Sequence, residues 1–237
     1  MLNFFTSQVD EYGDTTYAFT NSGYTLFVVI MLLAVFLTCF FTSKDNKFRL
    51  SARQLAVSSV CIALAFVTSN IKLIHLPQGG SVTLFSMFFI CFVGHIYGLR
   101  SGIMAGVSYG LLQMLIDPYI ISVPQMLLDY VFAFGALGLS GLFSKKKNGI
   151  LLGYLTGIIG RMFFAVLSGI VFFGMYAPEG QSVLIYSLSY NGLYIMAEAA
   201  ITLAILAVPA VRKALVRVKI IASENDSRYL EAVKQEG

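Results

Sequence analysis

Three ionisable side chains sit in stretches that are otherwise apolar. Asp129 lies in QMLLDYVFAFG (125–135), Arg161 in GIIGRMFFAV (157–166) and Glu198 in YIMAEAAIT (194–202). At membrane depth such a group faces the protein interior or a wet cavity, and by default marks a path or site for a substrate or ion. Helical spacing gives each of them company. Gln125, Asp129, Ala133, Ala136 and Ser140 form one polar or small stripe, and Gly157, Arg161, Ala165 and Ser168 form a second. Ser187, Asn191, Tyr194, Glu198 and Thr202 form a third. Three successive segments each turn a polar face somewhere, and the economical place is toward one another. A carboxylate there attracts a cation or accepts from an amine, while amide and hydroxyl groups satisfy polar edges. The bland reading is that Asp129 and Arg161 form a buried ion pair that serves packing, with Glu198 neutralising Arg161.

The elements that must hold these stripes follow from composition. Of 237 residues, 57% are hydrophobic and only 12% charged, too few charges for a soluble surface. Seven stretches are long and apolar enough to be read as spans, roughly 23–42, 54–72, 83–99, 101–116, 125–143, 149–174 and 187–210. Backbone groups in lipid must be paired within the chain, so these are expected to be helices. The third and fourth abut at Tyr97–Arg100 and predict a tight helical hairpin. Gly102, Gly106 and Gly110 recur every four residues and allow close helix approach, and Ser59 and Ala63 share that small-residue spacing. The first span has no buried charge and few small residues, so it is expected to be peripheral to a core of six.

Charge placement sets an orientation. Lys44, Lys47, Arg49 and Arg53, then Arg100, then Lys145, Lys146 and Lys147, then Arg212, Lys213, Arg217 and Lys219 fall on one side if the spans alternate. The positive-inside rule places that side, with the C-terminus, in the cytoplasm and the N-terminus outside a plasma membrane. The net charge of +4 resides in these short loops, which argues against a nucleic-acid partner. No cleavable signal peptide is expected, because Asp10, Glu11 and Asp14 occupy the place of a basic leader. Cys39, Cys61 and Cys91 lie within apolar segments and show neither metal spacing nor a disulfide framework. His75 and His95 read as surface or interfacial residues. HExxH, GxSxG and Walker patterns are missing from the sequence, so neither an enzyme nor a cofactor is expected. The outer connections 73–85 and 175–192 are richer than turns, and Tyr186 and Tyr190 run into the Asn191 stripe as part of a site or its lid.

Four stretches occur in order: QGGSVTLFSM (78–87), DPYIISVPQMLLDYVFAFGALGLSGLF (117–143), SGIVFFGMYAPEG (168–180) and YSLSYNG (186–192). Over roughly residues 50 to 215 the chain resembles the substrate-binding S component of energy-coupling factor (ECF) transporters, thiamine-specific type. The resemblance implies an all-α six-helix membrane bundle, here with one extra N-terminal transmembrane helix. With the flanking segments read from the sequence itself, the expected domains are 1–48 (external segment, extra helix and basic loop, a departure from the family), 49–215 (substrate-binding bundle) and 216–237 (polar cytoplasmic tail). The resemblance also implies a binder of thiamine that works with a transmembrane coupling protein and two ATPase subunits. By position the thiamine site maps to Asp129, Tyr130, Arg161, Gly169, Phe173, Tyr186, Asn191 and Tyr119. Ser59 and Ala63 match the motif that docks on the coupling protein. Ala165 stands where the family's pocket has histidine, and the chain has no tryptophan, which leaves Phe173 and the tyrosines to supply ring faces. Arg161 is expected beneath the ligand, holding Asp129 or Glu198. Two alternatives stand beside this reading: a self-sufficient proton-coupled carrier of thiamine or a related small cation, and an S component for a thiamine precursor.

Overall fold

The computed structural model describes residues 6–11, 14–20, 22, 25, 51–76, 79–146 and 148–223. Apart from Thr25, the expected span at 23–42 lies outside these residues, as do Lys44, Lys47, Arg49, Lys147 and the tail after Ser223. An antiparallel hairpin, β1 (Thr6–Glu11) and β2 (Asp14–Phe19), pairs Thr6 with Phe19.

Six apolar helices build the bundle of this all-α integral membrane protein. They are α1 (Ala52–Ser69), α2 (Ser86–Tyr97), α3 (Leu99–Ile116), α4 (Val123–Phe143), α5 (Gly149–Phe172) and α6 (Val183–Leu206). All but α2 are long and apolar enough to cross a bilayer. Ten of the twelve α2 residues are buried, which makes this short helix the centre of the bundle, against α1, α3, α4 and α5. The hairpin expected at Tyr97–Arg100 is present, and a single residue, Gly98, separates α2 from α3. Its φ of 88° lies in the region that glycine enters without steric cost.

The packing of α4 rests on two glycine faces. A Cβ at Gly106 or Gly110 of α3 would lie 2.3 Å from the Phe134 carbonyl oxygen or 1.8 Å from that of Tyr130. On the other side, a Cβ at Gly149 or Gly153 of α5 would lie 2.1 Å from the Phe143 oxygen or 2.6 Å from that of Ser140. So α4 is held backbone to backbone between α3 and α5, as small-residue interfaces in lipid allow. Its own winding changes along its length. After an α turn (Val123–Met126) it is π-helical over Leu127–Phe132, α over Ala133–Ala136 and 3-10 over Leu137–Phe143.

Two expectations need correction here. The last span, expected at 187–210, is Val183–Leu206. It stops before Pro209, which cannot donate a backbone N–H and disfavours helix in the residue before it. The chain restarts as α7 (Pro209–Ser223), which runs across the expected boundary at 215/216 and packs on α1, α2 and α6. His95, expected at a surface, is buried. Its Nε2 lies 3.3 Å from the buried Lys219 Nζ of α7, which donates to the Ser144 carbonyl at 2.5 Å. At the other end of the bundle β3 (Ile74–His75) and β4 (Ser81–Val82) form a short hairpin between α1 and α2, and Lys72 pairs with Asp117.

Candidate functional site

The end of the bundle away from α7 holds a cavity of about 170 Å³. Asp129, Tyr130, Arg161, Gly169, Phe173, Tyr186, Asn191 and Tyr119 all line it, so the structure gathers eight residues that the sequence scatters over α4, α5, α6 and their outer connections. Ser59 and Ala63 are elsewhere, exposed on the outward face of α1.

Local chemistry positions each group. Ser122 caps the start of α4 by accepting from the Gln125 N–H at 3.3 Å. The buried Gln125 then donates to Asp129 Oδ2 at 2.6 Å and to the Tyr119 carbonyl at 3.1 Å, while its Oε1 accepts from the Ile121 N–H at 3.1 Å. One amide thus fixes both the carboxylate and the connection above it. Tyr130, next along the π segment, points its hydroxyl into that same connection, accepting from the Tyr119 N–H at 2.8 Å and donating to the Asp117 carbonyl at 3.1 Å. Tyr130 therefore offers a ligand its ring, while its hydroxyl is engaged.

Arg161 shares the cavity with Asp129 but is not bonded to it. Among the described residues it makes no ion pair with Asp129 or Glu198, and its guanidinium carbon sits 4.2 Å from the centre of the Phe134 ring. Glu198 is engaged with other partners. It accepts from Thr83 Oγ1 at 2.6 Å, Ser86 Oγ at 3.0 Å and the Met87 N–H at 3.0 Å. These donors cluster at the N-terminus of α2, where a negative charge also meets the favourable end of the helix dipole. The buried carboxylate is thus structural, and the cationic Arg161 keeps its hydrogen-bond donors for the cavity.

Aromatic rings form the outer wall. Phe173 stacks on Tyr119 and Tyr176, with centroids 5.9 and 6.1 Å away, and the two tyrosine hydroxyls lie 3.1 Å apart. Tyr186, Tyr190 and Tyr194 succeed one another on a single face of α6. The Tyr190 hydroxyl accepts from the Gly80 N–H at 3.1 Å, tying the β3–β4 hairpin over the cavity. Gly169 has a packing role as well, since a Cβ there would lie 2.1 Å from Ser187 Oγ. Asn191 donates to the Ser187 carbonyl at 3.0 Å and accepts from the Tyr194 hydroxyl at 2.8 Å.

Sequence reasoning missed Tyr109 and Gln113 of α3, which also line the cavity. Gln113 Nε2 donates to both Ser69 Oγ and Tyr109 Oη at 2.6 Å. The signal was available as a polar pair at i and i+4 within an apolar span.

A sequence model for a family described as thiamine transporter protein matches residues 55–217. The chain is 35% identical over 157 residues to the thiamine transporter ThiT of Bacillus subtilis strain 168, covering 60% of this chain and 81% of that protein. It is 31% identical over 112 residues to the thiamine transporter ThiT of Lacticaseibacillus paracasei, covering 40% of this chain and 56% of that protein. A solved structure of ThiT from Listeria monocytogenes superposes with a TM-score of 0.55 at 22% identity, over 73% of this chain and 94% of that one. At that identity the superposition bears on the fold alone.

Proposed function

The chain belongs to the thiamine transporter protein family, and from that premise we propose that it is the substrate-binding membrane subunit of an ECF-type vitamin uptake system and captures thiamine. The observation that carries the reading is the convergence of eight residues from distant segments on one cavity with a carboxylate, a guanidinium and aromatic walls. Thiamine is a fixed cation joined to an aminopyrimidine. The thiazolium stands near Asp129, where opposite charge in a partly dry site favours it. Phe173, Tyr119 and Tyr186 cover the flat faces of the ligand, and a cation over such rings gains about 0.5–2 kcal/mol. Arg161 meets acceptor atoms of the pyrimidine and the hydroxyl, a role that its missing ion pair leaves open to it, while Asn191, engaged with Ala165, Ser187 and Tyr194, holds the cavity wall in place.

The chain acts as a binder, and the energy comes from a transmembrane coupling protein and two ATPase subunits. Exposed Ser59 and Ala63 on α1 offer the small-residue surface on which that coupling protein docks. Among the described residues Arg53, Lys145 and Lys146 join the four basic residues of α7 at one end, with Lys72 at the other, which supports a cytoplasmic C-terminus and a cavity open to the outside. A self-sufficient proton-coupled carrier finds less support, because Glu198 is held by three donors and is no relay partner to Arg161.

Two measurements test this. Calorimetric titration of the purified protein with thiamine should show saturable binding, and none by a folded protein would sink the substrate assignment. Labelled thiamine uptake into proteoliposomes should require the coupling protein, the ATPases and ATP. Uptake by this chain alone, driven by a proton gradient, would replace the proposal with the carrier reading.

A further inference from the structure

The cavity leaves α7 unexplained. This helix carries Arg212, Lys213, Arg217 and Lys219 and no acidic residue. One face is packed on the bundle: Val211 and Leu215 lie against the core, and Lys219 and Ala222 are buried. Arg53 Nη1 donates to the Ile221 carbonyl at 3.2 Å and Tyr97 Oη to the Ala222 carbonyl at 3.3 Å, so the helix is fastened to the ends of α1 and α2 and its outward face is fixed.

That outward face has two parts. Ala210, Ala214, Arg217, Val218 and Ile221 fall at i, i+4, i+7, i+8 and i+11 and are all exposed, Val218 at 44% and Ile221 at 61%. Lys213 is exposed on the flank beside Arg217, and among the described residues neither basic group makes an ion pair. An apolar strip edged by cations is the pattern of a helix lying in a membrane interface. The position agrees, since α7 begins just after α6 ends at Leu206. Lys219 hooks it to the Ser144 carbonyl, beside exposed Lys145 and Lys146 of the same end.

We infer that the outward face of α7 is a binding surface for anionic phospholipid, with Ala214, Val218 and Ile221 in the acyl boundary and Lys213 and Arg217 on the headgroup phosphates. Charge complementarity singles out an anionic lipid over a zwitterionic one, and exposed apolar side chains single out a bilayer over a soluble acidic protein. The packed face holds the helix parallel to that surface, so the lipid contact needs no refolding.

The chain contains no tryptophan, so Ile221→Trp places a single fluorophore on this face. The full-length variant is reconstituted in mixed bilayers of phosphatidylglycerol and phosphatidylcholine. One or the other lipid carries brominated acyl chains, and the quenching ratio reads the preference at that site. The expected result is blue-shifted emission, quenched by either lipid but more strongly by the anionic one, with each cation contributing about fivefold to the preference. Lys213→Gln with Arg217→Gln should lower the ratio by about fivefold for each charge removed while leaving the emission blue-shifted. Equal quenching by both headgroups, or a preference unmoved by the double substitution, would overturn the inference. Water-like emission quenched by neither would also overturn it and assign the face to solvent or a soluble partner. Val218→Trp repeats the measurement independently, and circular dichroism with size-exclusion chromatography confirms that each variant is folded.

Discussion

Asp129→Asn isolates the electrostatic part of the proposed binding. Asparagine keeps the volume and an oxygen that can accept from Gln125, so the 2.6 Å contact that organises the Tyr119 connection has a substitute. What is lost is the charge. A thiazolium about 5 Å from the carboxylate, at an effective dielectric of about 20, gains roughly 3 kcal/mol. Stripping water from both ions returns some of that, leaving about 1.5–2 kcal/mol, or roughly 10–30-fold in Kd. Calorimetry with two ligands separates charge from shape. Thiamine should weaken by that factor, whereas the neutral hydroxymethyl aminopyrimidine half of the molecule should change by less than about twofold. Equal losses for the two ligands would refute the pairing of Asp129 with the cationic ring and assign the carboxylate to the pyrimidine or to the scaffold. No loss for either would remove Asp129 from the site.

Other outcomes follow from packing and hydrogen bonding. Gly110→Ala drives a methyl to 1.8 Å from the Tyr130 carbonyl oxygen. It should cost about 3 kcal/mol or more, seen as a large drop in the thermal midpoint in detergent. Gly180→Ala, with φ of +81° but no atom within 4 Å of the new methyl, should cost only about 1 kcal/mol and serves as the contrast. Glu198→Gln keeps an oxygen for Ser86 and the Met87 N–H, sets an NH2 against Thr83 and removes the charge at the start of α2, so it should lower stability by about 1–3 kcal/mol without ligand present. A proton relay at Glu198 predicts the opposite, unchanged stability with lost transport. Tyr190→Phe removes the acceptor of the Gly80 N–H. Thiamine should then dissociate about fivefold faster in stopped-flow displacement, reflecting about 1 kcal/mol of lost closure.

Features legible in the sequence were those set by local spacing. The i, i+4 stripes on α4, α5 and α6 give the inward faces, and Tyr97–Arg100 gives the hairpin because few residues are available to turn the chain. Long-range docking stayed hidden. His95 reads as interfacial until α7 folds back and places Lys219 on it. The pairing of Arg161 with a carboxylate fails for a related reason. Complementary charges on neighbouring helices do not make a pair by themselves: Arg161 lies over the Phe134 ring, and Glu198 finds its partners in Thr83, Ser86 and Met87. The second glycine face, Gly149 and Gly153 with Gly157, shows the same four-residue spacing as the first. It was readable, but the charged neighbour Arg161 drew the reading toward polarity.

The π segment explains why one short stretch serves two ends. The lower half of α4 is gripped on both sides through glycine contacts, so it has no freedom to rotate toward the cavity. Nothing in the residue types of LLDYVF favours wide winding over an ordinary α turn. In the upper half, gripped by glycine on the α3 side at Tyr130, an i→i+5 stretch shifts the facing of the residues it contains. There Asp129 lines the cavity beneath Gln125, while the adjacent Tyr130 sends its hydroxyl up to Asp117 and Tyr119. The carboxylate and the cover of the site thus hang on consecutive residues of one turn. The turn that presents Asp129 to the cavity therefore also holds, through the Tyr130 hydroxyl, the Tyr119 end of the Tyr119–Phe173–Tyr176 wall.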